Sequence, residues 1–198
     1  MSLLFETIKV IRRTAENIDG HNERVARSRR TLLGLRDDLD LRPHIVVPQT
    51  LGEGIYRCRV VYAKTVESVE FLPYRPPSIH TVQLVNADHI RYNHKFIDRE
   101  AIKALVRESG TDDIIMVVDG RITDFSLANI AFFDGHQWVT PDRPMLEGTK
   151  RNLLFSRGVL RLEQITPHDL SLFSKAAPIN AMLDIGDVPF IETANIRL

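Results

Sequence analysis

Ile122-Thr123-Asp124-Phe125-Ser126-Leu127-Ala128-Asn129-Ile130 sets an acid and an amide at the entrance to an apolar run that continues through Phe133. Around it, Ile114 to Val118, Ala128 to Phe133 and Gln137-Trp138-Val139 read as short strands, rich in β-branched and aromatic residues. Asp119-Gly120 and Asp134-Gly135 join them, dipeptides that turn tightly between antiparallel strands. The expected result is a mainly β region. Asp124 is either a turn or strand-edge acid following Asp119-Gly120, or a carboxylate placed for chemistry. Asn129 falls inside a strand, where a buried amide wants partners, so it either orients a site or satisfies backbone groups.

Downstream, Leu146-Glu147-Gly148-Thr149-Lys150-Arg151 leads into a helix expected over Asn152 to Arg157 and ended by Gly158. Backbone amides at a helix start attract an anion, and glycine permits close approach; an ordinary helix cap is the other reading. Upstream, Thr81 to Val85 reads as a strand and Asp98 to Ser109 as a helix, with Tyr92-Asn93-His94-Lys95-Phe96 between them. Tyr92 is either core or part of a site wall. Before these lies Pro73-Tyr74-Arg75-Pro76-Pro77-Ser78, the one proline cluster, which favours an extended connection. It sets the expected boundary between a small N-terminal α/β domain, residues 1–75, and a larger domain, residues 76–198. In the first domain, residues 4 to 10 read as a strand, as do Ile55 to Tyr62 and Val66 to Tyr74. A basic amphipathic helix over about 20 to 35, opened by Asp19-Gly20, carries His21-Asn22-Glu23-Arg24. Arg27, Arg29 and Arg30 read as solvated charges on it.

The chain has 198 residues, enough to bury a core without disulfides, and its single Cys58 can form no internal one. Lysine plus arginine balances aspartate plus glutamate at 26 each, so charge suggests no nucleic-acid partner and no anionic membrane surface. No apolar run is long enough to span a bilayer and no secretory core is visible, so a soluble cytoplasmic protein is expected. The seven histidines are scattered without metal-ligand spacing, and no metal site is expected. Nucleophile-elbow, Walker and Gly-x-Gly-x-x-Gly signatures are absent from the sequence. Those absences leave the Lys95 segment without a motif-level rival, and together with its flanking motifs it offers the parts of a pyridoxal-phosphate site. Pyridoxal 5'-phosphate needs an amine to hold its aldehyde as a Schiff base, an acid against its ring nitrogen, and cationic and backbone donors around its phosphate. Lys95, Asp124, Arg24 and Gly148-Thr149-Lys150 supply one candidate for each. Only a neutral amine attacks an aldehyde, so the chemistry asks for a desolvated Lys95 near other cations.

The order and wording of these segments resemble the class IV, fold-type IV aminotransferase family, which includes branched-chain aminotransferases, D-amino-acid aminotransferases and aminodeoxychorismate lyases. The resemblance covers nearly the whole chain. It runs from Phe5-Glu6-Thr7-Ile8-Lys9-Val10 through His21 and Arg24 to the Lys95 segment, is strongest at Ile122 to Ile130, and reaches Leu146 to Arg151. It implies a two-domain α/β (α+β) fold, a small sheet-plus-helix domain followed by a larger, mainly β domain that binds the cofactor. By resemblance Lys95 is the Schiff-base lysine, Arg24 reaches the phosphate from the first domain, and the main-chain donors of Thr149 and Lys150 hold it from the second. Lys150 departs from the Ile-Thr or similar pair usual there. Asp124 stands where the family usually has glutamate, with Ser126 and Asn129 completing the pattern; one methylene shorter, it requires a closer ring or a bridging water. A second phosphate contact is implied on a C-terminal loop, where Ile179-Asn180-Ala181-Met182 offers Asn180 and Ala181. Against the family, a helical stretch is missing between about Arg36 and Gly54. The implied activity is transamination between a small amino acid and a keto acid in a homodimer. Aminodeoxychorismate lyase, giving 4-aminobenzoate and pyruvate, is the alternative, and a non-catalytic cofactor-binding protein a second one.

Overall fold

A computed structural model describes residues 3–198. The chain forms two compact units: the residues through Arg75 together with His94–Ile97, and Pro76–Asn93 together with Asp98–Leu198.

In the first unit, β1 (Leu4–Ile11) alternates strictly, burying Leu4, Glu6, Ile8 and Val10. One position of this inward face is an acid. Strands β2 (Thr14–Ala15), β3 (Ile55–Tyr62) and β4 (Val66–Pro73) complete an antiparallel sheet of order β2-β1-β3-β4. Helix α1 (Ile18–Leu33) starts from Asn17 in the left-handed region at φ 51°, ahead of the expected Asp19-Gly20 start. Asp19 sits instead in the first turn, where its charge suits the helix dipole. Gly34, at φ 67°, closes the helix by donating its N–H to Arg30 O at 3.1 Å. The buried residues of α1 are His21, Arg24, Val25, Ser28 and Arg29. Arg29 therefore corrects the expectation of a solvated charge: it donates to Asp37 O at 3.0 Å, Asp37 Oδ2 at 2.8 Å and Lys64 O at 2.7 Å. Those bonds tie down the loop after α1, where the chain to β3 forms only a 3-10 turn, Arg42–His44. Residues 94–97 run alongside β1. Phe5 N–H donates to Lys95 O at 3.0 Å and Ile97 N–H to Leu3 O at 3.1 Å, with Phe96 bridged to Leu4.

The second unit is built on β5 (Val82–Asn86), α2 (Glu100–Ser109), β6 (Asp113–Val118), β7 (Arg121–Phe125), β8 (Asn129–Phe133) and β9 (Trp138–Pro141), then α3 (Thr149–Ser156), β10 (Leu160–Glu163), β11 (Lys175–Ile179) and β12 (Ile191–Glu192). Its sheet has the order β10-β9-β8-β7-β6-β5, with β11 pairing both β8 and β12. Asp119-Gly120 turns the chain from β6 into β7, a strand the sequence reading passed over, and not directly into β8. Val82, Ile115, Ile122, Phe125, Ile130, Phe132 and Val139 form the centre of the core. Strands β7 and β8 meet at a single pair, Asp124 opposite Asn129. That pair sets two of the candidate site residues side by side.

Candidate active site

Within the first unit, β1 brings Lys95 and Arg24 to adjacent residues. Phe5 holds the Lys95 carbonyl through its backbone, and its ring lies 4.8 Å from Lys95 Nζ. Glu6, fully buried, accepts Arg24 Nε at 2.9 Å on Oε1 and Arg24 Nη2 on Oε2. His21 Nδ1 lies 2.6 Å from Oε2. Burial pushes the Glu6 carboxyl up, but the Arg24 charge and the His21 hydrogen bond outweigh it and hold the group at about 2. Burial also lowers His21, helped by the charges of Arg24 and Lys95, and this outweighs the pull of Glu6 in the other direction. His21 is then neutral, with its proton on Nδ1 facing the carboxylate.

In the second unit, Asp124 is buried at the end of β7. Asn129 Nδ2 donates to its Oδ1 at 2.6 Å and to Leu146 O at 2.8 Å, while Leu146 N–H donates to Asp124 Oδ2 at 3.0 Å. Asn129 thus satisfies a backbone carbonyl and is hydrogen-bonded to the buried acid. Burial raises Asp124 to about 6, against the opposing pull of Asn129, of the Leu146 and Met145 amides and of the Arg151 charge. A carboxylate has about four acceptor positions, so these donors leave capacity for another N–H.

The same network sets the start of α3. Gly148 precedes the helix with φ −74°, a conformation open to any residue, so space and not backbone freedom demands glycine: an added Cβ would fall on Asn129 Oδ1. Asn152 N–H bonds to Gly148 O at 3.0 Å, which begins the helix at Thr149, earlier than the expected Asn152. First-turn amides have no carbonyl of their own helix to bond and face outward as anion donors. Thr149, Lys150 and Arg151 in this turn are all buried. The Lys150 side chain is turned to Asp184, with Nζ 2.8 Å from both Oδ1 and Oδ2. Its unusual side chain thus ties α3 to the C-terminal loop.

That loop holds Asn180 and Ala181. Asn180 Oδ1 accepts the N–H groups of Met182 at 2.8 Å and Leu183 at 3.1 Å, and its Nδ2 reaches Leu127 O at 3.3 Å. Asn180 therefore shapes the turn and links it to the β7–β8 connection. Around Ser126, Asp113 Oδ1 accepts the N–H at 3.2 Å and Arg99 Nη2 donates to the carbonyl. Tyr92 is buried, its ring 5.4 Å from the Arg99 guanidinium carbon.

The candidate residues thus fall into two clusters, Arg24 and Lys95 in the first unit, and Asp124, Asn129, Gly148, Thr149, Lys150, Asn180 and Ala181 in the second. Sequence reasoning missed Glu6, His21, Arg99, Arg151 and Asp184 as members. Glu6 had a signal: in β1 it shares the face of Leu4, Ile8 and Val10, where an acid needs a partner.

Residues 3–190 match the family model described as amino-transferase class IV. An uncharacterized protein of Haemophilus influenzae is 34% identical over 182 residues, 90% of this chain and 97% of that protein. A Haemophilus somnus crystal structure provisionally assigned as a 4-amino-4-deoxychorismate lyase superposes with a TM-score of 0.83 at 32% identity, covering 92% of this chain and 97% of that one. A Mycobacterium tuberculosis protein described as a hypothetical aminotransferase shares the fold at 18% identity, with 91% of this chain and 78% of that one covered. Its PLP-bound form gives a TM-score of 0.72, and its form with alpha-ketoglutarate and PMP 0.75. With the Asp124-Asn129 pair, the glycine-led α3 and the Lys95 segment in the order expected of that family, a match over nearly the full length leaves one assignment: the chain belongs to the class IV aminotransferases.

Proposed function

We propose that this class IV protein is a pyridoxal-phosphate-dependent aminotransferase that exchanges an amino group between a small amino acid and a keto acid. The observation that carries the reading is the contrast between its two buried acids. Glu6 is matched by Arg24 and held at about 2, whereas Asp124 is lifted to about 6 with only neutral donors bonded to it. Asp124 therefore has the environment of an acid that gains most from a cationic ligand, and a protonated ring nitrogen is such a ligand.

In this reading Lys95 is the amine that holds the cofactor covalently, and its freed Nζ moves the proton of the substrate α-carbon. The cofactor, when bound, supplies the electron sink for that carbon. Asp124 keeps the ring nitrogen protonated, and Asn129 and Leu146 hold Asp124. Arg24, the first-turn amides of Thr149 and Lys150, and the loop of Asn180 and Ala181 take the phosphate. Gly148 leaves room for Asn129. We place the protein in the cytoplasm as a homodimer; no described helix is long and apolar enough to cross a membrane.

A second reading, 4-amino-4-deoxychorismate lyase, is favoured by the Haemophilus somnus relative, since it matches over nearly its whole length at 32% identity. Both reactions use the residues named above. Single turnover separates them: transamination leaves nitrogen on the cofactor, and the absorption spectrum should pass to the pyridoxamine phosphate form with a suitable amino acid. Pyruvate released without a keto-acid acceptor, with no pyridoxamine form across L- and D-amino acids, would establish the lyase. Absence of any turnover from a cofactor-loaded protein would leave the non-catalytic alternative.

A further inference from the structure

Glu6 is a buried ionisable group that the reaction above leaves without a task. It occupies an inward position of β1 among Leu4, Ile8 and Val10, with 0% exposure, where an unpaired charge would be strongly unfavourable. Its partners are specific. Arg24 and His21 lie three residues apart on one face of α1, and both reach the same carboxylate: Arg24 with Nε at 2.9 Å and with Nη2, His21 with Nδ1 at 2.6 Å. A forked contact fixes the plane of a guanidinium as well as its location, which a single hydrogen bond does not. His21 adds a neutral brace on Oε2, so the carboxylate itself is held from two sides. Phe5, the adjacent residue, binds the Lys95 carbonyl at 3.0 Å. One two-residue step of β1 thus sets both the amine and the cation.

We propose that Glu6, braced by His21, is a positioning residue that locks the Arg24 guanidinium in the orientation that receives the cofactor phosphate. The inference rests on the functional reading above, in which Arg24 is a phosphate ligand. It assigns Glu6 no contact with substrate or cofactor. Its effect therefore passes through Arg24 and is confined to ligands that carry a phosphate.

Absorbance titration of the cofactor-free full chain with pyridoxal 5'-phosphate and with pyridoxal, which has the aldehyde but no phosphate, tests this. Glu6→Gln keeps the volume and removes the charge-assisted fork; it should weaken pyridoxal 5'-phosphate binding by about tenfold or more, leaving pyridoxal within about twofold. In an Arg24→Lys background, which has no fork to hold, the same change should add less than about threefold. Equal losses for both ligands, or a full additional loss on top of Arg24→Lys, would overturn the proposal and make Glu6 a general support of the fold. If Glu6→Gln does not fold, Glu6→Asp keeps the charge but shortens the reach, and the same ligand ratio decides. A wild-type chain that binds no pyridoxal 5'-phosphate would remove the functional reading itself and this inference with it.

Discussion

Asp124→Asn should stabilise the cofactor-free protein at alkaline pH and not at acidic pH. The folded chain raises this carboxyl from 3.8 to about 6, with burial as the leading cause. A group whose folded value lies above its unfolded one contributes stability that is fully present below 3.8 and lost as pH rises through about 6. Above that point the ionised, buried carboxylate weakens the fold. The gap of about two pH units corresponds to roughly 3 kcal/mol as an upper bound. Asparagine removes the charge and can still accept Asn129 Nδ2 through its oxygen, but it offers an amide group to the N–H groups of Leu146 and Met145, which costs at least about 1 kcal/mol. A net gain of at most about 2 kcal/mol should remain at pH 8, or at most about 4–8 °C in melting temperature for a chain of this size. At pH 4.5 the native carboxyl is mostly protonated, and the gain should vanish.

Thermal denaturation of the cofactor-free wild type and variant at the two pH values measures this directly. Saturating pyridoxal 5'-phosphate should abolish the variant's advantage at pH 8, because the ring nitrogen gives the native acid a cationic partner. If Asp124→Asn is destabilised equally at both pH values, Asp124 is an ordinary structural acceptor and the contrast with Glu6 loses its meaning.

Lys95→Ala should lose both the yellow colour and the borohydride-fixed cofactor adduct; an adduct mapped by peptide mass to Lys103 or Lys150 would show that the amine has been misassigned. Gly148→Ala should cost about 2–4 kcal/mol in chemical denaturation, since the new Cβ displaces the Asn129 amide from both of its buried partners, and a variant as stable as wild type would refute that packing. Sedimentation should find a homodimer, as expected where a shortened first domain leaves a partner to help exclude water; a fully active monomer at assay concentration would defeat this.

Most of the first unit could be read from the sequence because its strands obey local rules. Ile55–Tyr62 has the bounds expected of it, and β1 runs one residue beyond its expected end. Its errors lie where tertiary partners override composition. Arg29 looks like a solvated helix charge until Asp37, in the loop after α1, and the Lys64 carbonyl, farther along the chain, supply acceptors for its buried guanidinium. In the second unit, β7 was hidden because Thr123 and Asp124 interrupt its apolar pattern, and the turn at Asp119-Gly120 then seemed to lead straight into β8. Strand β11 contains Pro178, which argues against an interior strand, yet Lys175–Ile179 pairs with β8 along its full length. Each of these strands lies beside the Asp124-Asn129 pair or directly on β8.

The candidate site residues could be picked out as residue types in a characteristic order, but their electrostatic surroundings could not. From the sequence, Glu6 and Asp124 are two acids next to a phenylalanine, one after Phe5 and the other before Phe125. Only the fold puts Glu6 against a guanidinium and an imidazole, and Asp124 against an amide and a backbone N–H. The first arrangement compensates a charge inside the protein; the second orients a charge, offsets it only in part through Arg151, and leaves the rest of its compensation to a ligand. This division explains why removing Glu6 should disturb a neighbouring cation, whereas removing Asp124 should relieve the empty protein and harm only the loaded one.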